Sequence, residues 1–251
     1  MSTRLRDCWH DGRAGVGLWF STDAASAAEA LAQLDFDYVV IDLQHGLMEV
    51  ADAISMMRAM ARSDATLLCR VPVNEPGIVG RVLDAGAAGV IVPMVNDVGD
   101  AEAAVRAAKY APRGDRSFGP TRARLVGGSL DTNVVNAETI VIPMIETVEA
   151  IDNVEAIAAV DGIDALYVGP SDLSITLGLP PGNDQDDQRF RDALDAVLAA
   201  AADHEVAPAI HSDASLAARR IAEGFAMVTA VTDTQAVMAG AAQALAAARD
   251  D

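Results

Sequence analysis

Along the chain, short apolar runs rich in β-branched residues alternate with longer stretches whose apolar positions recur every three or four residues. The runs predict strands at Val16–Phe20, Tyr38–Asp42, Leu67–Val71, Gly89–Val95, Thr139–Ile145, Ala165–Val168, Ala207–His211 and Phe225–Val231. Near-continuous apolar runs of this kind are expected of parallel strands covered by helices. The intervening stretches predict helices over 24–34, 50–62, 75–84, 98–110, 188–203, 213–223 and 233–248. A further helix, capped by Thr147, carries Ile151, Val154, Ile157 and Ala158 at helical spacing. Two segments interrupt the rhythm: a Gly- and Arg-containing excursion at 111–138 and a loop rich in Pro, Gly and Asp at 179–187. Long excursions in compact domains are usually functional or interfacial. Eight strand–helix alternations within a single domain, 1–251, predict a (β/α)8 barrel of the TIM type. Neither a GxGxxG nor a Walker-type glycine loop follows any strand, so doubly wound nucleotide-binding folds lack support.

Barrel enzymes carry their chemistry at the C-terminal ends of the strands. The stretch 139–172 is the most informative on that rim. Glu146 follows one strand, and Asp172 follows the next, behind Gly169-Pro170-Ser171. In a βαβ unit both strands point the same way, so the two carboxylates emerge together. Beside a turn with free backbone N–H groups they resemble a hard-cation site next to an anion pocket. Either carboxylate alone is better explained by the dipole at a helix start; their pairing at adjacent strand ends makes a ligand site an equal alternative, which the rest of the chain has to decide.

The same rim collects Trp19, Asp42, Gln44, His45, Arg70 and His211. His45 sits in a strand-end turn with Gly46 and is the natural general base, because imidazole titrates near neutrality. Asp42 or Asp84 can be the carboxylate that fixes its tautomer; the alternative is a loop histidine with local hydrogen bonds only. Arg70 lies inside an otherwise apolar strand, where a guanidinium needs a buried acid or the open mouth. Trp19 reads as an apolar wall of the mouth. His211 reads equally as pocket lining or as structure, and His10 and His204 receive no role.

Composition narrows the class. A net charge of −19 argues against a nucleic-acid partner, and no 18-residue apolar stretch offers a membrane span. With no apolar leader at the N-terminus and only two cysteines, Cys8 and Cys69, the expectation is a soluble cytoplasmic protein. Lys109 is the only lysine, late on a predicted helix, which misplaces it for Schiff-base chemistry. The last helix is small-residued nearly all round, which suits either packing between subunits or alanine's helix propensity.

DYVVIDLQHG, CRVPVNEP, VLDAGAAGVIVPMV, PMIET and YVGPSDLS together resemble the HpcH/HpaI family of metal-dependent pyruvate aldolases, from about Gly17 to Ala230. The resemblance implies that Glu146 and Asp172 bind Mg²⁺, Mn²⁺ or Co²⁺. It implies that His45 is the base, assisted by Asp42 and Asp84, that Arg70 polarises the keto oxygen, and that the Gly169-Pro170-Ser171 turn holds the substrate carboxylate. It also implies a hexamer, a trimer of dimers, with the last helix packed on a neighbouring subunit. Gln44 stands where several members carry Glu, and Met144 where several carry Gln; with Trp19, Gln44 is expected to line the substrate pocket.

The expected reaction is reversible aldol cleavage of a 4-hydroxy-2-oxo acid to pyruvate or hydroxypyruvate and an aldehyde, through a metal-bound enolate. Two alternatives stay open. A lyase of the citryl- or malyl-CoA type would need a basic groove, for which Arg113, Arg116, Arg122 and Arg124 are candidates. A non-catalytic oxo-acid-binding barrel is the other.

Overall fold

The computed structural model describes residues 3–249. Eight parallel strands close into one barrel in sequence order. They are β1 (Gly15–Phe20), β2 (Tyr38–Asp42), β3 (Thr66–Arg70), β4 (Gly89–Val92), β5 (Ile140–Ile145), β6 (Ala165–Val168), β7 (Ala207–His211) and β8 (Met227–Thr232). The predicted strands are all present, with ends shifted by up to three residues; the largest shift is at β4, which stops at Val92 instead of Val95.

The helices are α1 (Arg4–His10), α2 (Ala25–Leu31), α3 (Val50–Ala59), α4 (Pro76–Asp84), α5 (Val98–Ala108), α6 (Thr121–Leu125) and α7 (Thr132–Glu138). They continue with α8 (Val148–Asp152), α9 (Val154–Ala158), α10 (Pro170–Thr176), α11 (Gln188–Asp203), α12 (Ala217–Glu223) and α13 (Asp233–Ala247). Four features go beyond the sequence pattern, the first being α10, which follows β6 directly where only a turn was expected. The 111–138 excursion contains α6 and α7. The helix after Glu146 breaks at Asn153 into α8 and α9, although Thr147 caps it as expected, accepting from the Ala150 N–H at 3.0 Å. α1, which carries no strand before it, lies across the N-terminal mouth, where the Leu5 N–H donates to Thr66 Oγ1 at the foot of β3.

The closed barrel sorts strand residues by parity. Trp19, Tyr38, Val40, Leu68, Ile91, Ile140, Ile142, Met144, Ala165, Tyr167, Ala209 and Met227 fill the interior, with Leu5 against them. The opposite parity packs outward under the helices in a second, larger cluster. Close approach inside the barrel explains Gly17, because a Cβ there would stand 2.1 Å from the Tyr38 ring. Continuing the inward parity two residues beyond Val40, Leu68, Met144 and Ala209 delivers Asp42, Arg70, Glu146 and His211 to the C-terminal mouth.

Candidate active site

At the mouth, Asp42 and Arg70 are paired neighbours, in register across β2 and β3. Arg70 Nε donates to Asp42 Oδ1 at 2.8 Å and its terminal nitrogen to Oδ2 at 2.5 Å, a two-point contact. Asp42 also accepts from Trp19 Nε1 at 3.2 Å and from the backbone N–H groups of Gln44 (3.0 Å) and His45 (3.2 Å). Burial alone would push this carboxyl up, but the guanidinium and the other donors outweigh it and hold the pKa below the usual value. Arg70 lies 4.9 Å from the Trp19 ring centre and directs its remaining nitrogen toward Met144 Sδ at 3.9 Å, a weak contact that leaves N–H capacity for a substrate.

This arrangement corrects the expected partners of His45. Asp42 is fully engaged and reaches His45 only through its backbone, so it sets the loop and not the imidazole. Gly46 is required in that loop, because a Cβ would meet the Asp42 carbonyl oxygen at 2.1 Å. Asp84 lies at the C-terminal end of α4, toward the opposite mouth, and accepts from Arg116 at 2.6 Å. Helices return antiparallel to the strands, so one chain cannot bring Asp84 to its own His45. The His45 side chain is exposed and makes no hydrogen bond within the described residues.

Glu146 stands at the end of β5, two strands round the barrel from Arg70. It is buried, and its Oε1 accepts the Met94 N–H at 2.7 Å. Met94 adopts φ 54°, a left-handed conformation that ends β4 early and turns this N–H inward. Gly169 leaves room for the carboxylate: a Cβ there would stand 2.6 Å from Glu146 Oε2. Burial, with the nearby charge of Asp172, pushes the Glu146 pKa up, against the Met94 N–H and the attraction of Arg70. A buried carboxylate facing a second, exposed one with no cation at contact distance is a donor set suited to a divalent ion. Among the described residues no cluster of three or more His, Cys, Asp or Glu forms, so these two oxygens would leave most of an octahedral shell to water and substrate.

The Gly-Pro turn is corrected in detail. The Gly169 N–H is spent on the Ile145 carbonyl at 3.3 Å, and Pro170 has none. The N–H groups left without a helix partner are those of Ser171 and Asp172 in the first turn of α10. Gln44 is half-buried, and its side-chain Oε1 has no hydrogen-bond partner. Two contributors escaped the sequence reading: Met94, which acts through its backbone, and the hydroxyls of Tyr38, Tyr167 and Thr229 beneath His211. Strand parity would have exposed the second group, since Tyr38, Tyr167 and Thr229 all face inward; nothing in the sequence marks the first.

The basic loop does not form a groove at this mouth. Arg113 pairs with Asp161, Arg116 with Asp84, and Arg122 donates to the carbonyls of Ala85 and Met57. These partners lie at or toward the N-terminal end of the barrel, which removes the support for a CoA-phosphate site.

The model of the HpcH/HpaI aldolase/citrate lyase family matches residues 15–239. The chain belongs to this family. It is 39% identical over 248 residues to a hydroxypyruvate/pyruvate aldolase of Rhizorhabdus wittichii, covering 98% of both chains. It is 32% identical over 239 residues to a 4-hydroxy-2-oxo-heptane-1,7-dioate aldolase of Escherichia coli, covering 94% of this chain and 90% of that one. The crystal structure of an HpcH/HpaI family protein from Burkholderia cenocepacia superposes with a TM-score of 0.91 at 33% identity, covering 98% of each chain. As an HpcH/HpaI protein with aldolase relatives along its whole length, the chain is a carbon–carbon lyase acting by aldol cleavage.

Proposed function

We propose that this HpcH/HpaI aldolase cleaves 4-hydroxy-2-oxo acids to pyruvate or hydroxypyruvate and an aldehyde, with a divalent cation held by Glu146 and Asp172. The observation that carries the reading is the buried Glu146 carboxylate, set against Asp172 with a single N–H for a partner, two strands round the mouth from Arg70. A bound Mg²⁺, Mn²⁺ or Co²⁺ would supply Lewis acidity toward the 2-oxo acid. The remaining roles belong to the chain. Asp42 fixes Arg70 rigidly on Trp19, so that its free N–H groups meet the oxygen on which enolate charge develops. The Ser171 and Asp172 N–H groups are available to the substrate carboxylate. His45, on the exposed β2 loop, takes the 4-hydroxyl proton as the C3–C4 bond breaks. Protonation of the enolate releases the donor product. An assisting role for Asp84 requires a second subunit, because its own barrel separates it from His45.

A homo-oligomer fits this requirement. α13 exposes Val237, Met238 and Leu245, while its first residue, Asp233, is buried and anchored by the Ser21 and Thr22 N–H groups. An apolar helix so tethered and otherwise uncovered suits a neighbouring copy, as in the expected hexamer. No helix among the described residues is long and apolar enough to cross a membrane; we place the protein in the cytoplasm on that ground together with its two unpaired, buried cysteines.

The test compares aldol cleavage with decarboxylation of oxaloacetate, which reaches the same enolate without a hydroxyl proton to remove. His45→Ala should lose aldolase activity by the 10²–10⁴-fold typical of a general base while keeping much of the decarboxylation. Arg70→Ala should damage both. Equal losses of both activities in His45→Ala would remove His45 from the base role, and absence of turnover with any added divalent metal would sink the aldolase reading.

A further inference from the structure

The exposed His45 side chain has no hydrogen bond of its own among the described residues, so its place at the mouth is set by the backbone that carries it. That backbone is pinned on both sides. Ahead of the imidazole, Asp42 Oδ1 accepts the N–H groups of Gln44 and His45. Behind it, the Leu47 N–H donates to the Ser21 carbonyl at 2.8 Å, which ties the loop after β2 to the residue that follows β1. The Leu47 side chain is exposed, so the hydrogen bond and the buried Met48 beyond it hold this half of the turn.

Ser21 is held in turn by a carboxylate that the reaction scheme above leaves unused. Asp233, the first residue of α13, is buried. Its Oδ1 accepts the N–H groups of Ser21 at 3.0 Å and Thr234 at 2.8 Å, and its Oδ2 accepts the Thr22 N–H at 3.0 Å and the Thr22 hydroxyl at 2.6 Å. Two ordinary explanations of a buried acid fail here. It has no cationic partner among the described residues, so it is not half of an ion pair. Nor does α13 need it as a cap, because Thr232 and Gln235 already close a capping box one residue earlier. A carboxylate buried without a cation is costly unless donors fill it, and three of these four donors belong to the loop after β1.

We infer that Asp233 is a positioning residue for the general base: by gripping the Ser21–Thr22 peptide it fixes the turn that carries His45. The inference rests on the aldolase reading above, with His45 as base. The peptide joining Ser21 to Thr22 is engaged on both edges, its carbonyl by the Leu47 N–H and its N–H by Asp233 Oδ2. A peptide group is planar, so holding its N–H also aims its carbonyl. The line from Asp233 to Leu47 therefore runs through one rigid unit, and Leu47 stands two residues from His45. An amide at 233 cannot replace the acid. All its partners are donors, and a carboxamide turns an NH₂ group toward some of them; of these only the Thr22 hydroxyl can reverse and accept.

The experiment measures kcat for aldol cleavage and for oxaloacetate decarboxylation at saturating Mn²⁺, in the parent, His45→Ala, Asp233→Ala and Asp233→Asn, and in each Asp233 variant combined with His45→Ala. A misplaced base damages only the reaction that uses it. Asp233→Ala should lower aldol cleavage by about 10- to 100-fold, the scale of a small displacement of a catalytic group, and leave decarboxylation little changed. Asp233→Asn should act in the same direction by less. Added to His45→Ala, neither substitution should lower aldol cleavage further, because no base is left to position. If Asp233→Ala is poorly folded by circular dichroism, the isosteric Asp233→Asn decides. Equal losses of both reactions, aldol cleavage undiminished in every folded Asp233 variant, or additive losses in the double variants overturn the inference and leave the aldolase reading standing. A parent without aldol activity, or His45→Ala losing both reactions equally, defeats the base assignment on which it rests.

Discussion

Met94 donates its backbone N–H to Glu146 Oε1 at 2.7 Å from a left-handed conformation with φ 54°. Non-glycine residues pay about 1 kcal/mol or more for that region, which persists only where the surroundings fix it. The local strain thus holds the one hydrogen bond that orients a buried carboxylate. Met94→Gly should keep the geometry and leave Mn²⁺ affinity within a few-fold of the parent. Met94→Pro removes the N–H and forces φ near −65°, and should weaken Mn²⁺ binding at least tenfold. Calorimetric titration of both variants checks this; equal affinities would show that the contact orients nothing.

Glu146 predicts opposite effects on stability and on metal binding. Its pKa is raised in the folded protein, so folding takes up a proton, and stability falls as pH rises from the unfolded value toward the folded one. Above that range the penalty stays in full. Glu146→Gln removes it, so in EDTA the variant should melt at or above the parent's temperature. With Mn²⁺ the order should reverse, because only the parent gains ligand-linked stability. Melting curves with and without metal, between pH 5 and 8, are the measurement.

The Asp42–Arg70 pair carries the opposite sign. The Asp42 pKa is lowered on folding, so its contribution is present above the unfolded value of about 4 and lost as pH falls through the folded one. Asp42→Asn leaves a nearly buried guanidinium without its counter-charge. Breaking such a pair costs about 3–5 kcal/mol. The variant should show that loss in urea unfolding at pH 7, and a smaller loss near pH 3. A difference independent of pH would contradict it.

Lys109 cannot serve as a Schiff-base nucleophile here. It caps α5, is buried, and donates to the carbonyls of Asn136 at 2.7 Å and Thr139 at 2.5 Å, at the foot of β5. Borohydride with pyruvate should therefore leave the intact mass unchanged. Burial pulls its pKa down to about 8 from 10.5, so between those values the unfolded chain binds the extra proton and stability rises with pH. Lys109→Met should abolish that rise in urea midpoints between pH 8 and 10, at the cost of two buried carbonyls left unpaired.

The barrel itself was legible in the chain, because parallel strands covered on both sides must be apolar throughout and helices must not. That periodicity alone set the strand order and put Glu146, Asp172, Arg70 and His45 on one rim. The tertiary structure decided which of these groups meet. Asp42 could have served His45 or Arg70 by sequence spacing, and only the register of β2 against β3 gives it to Arg70. Asp84 shares a motif with the site yet lies toward the far mouth, since a helix running back along a strand carries its last residue away from the strand's end. Met94 and Gly169 were invisible as chemistry, because one acts through a peptide N–H and the other through the absence of a Cβ. A sequence specifies side-chain types and their periodicity; which donors find which acceptors depends on through-space distances that only closure of the barrel fixes.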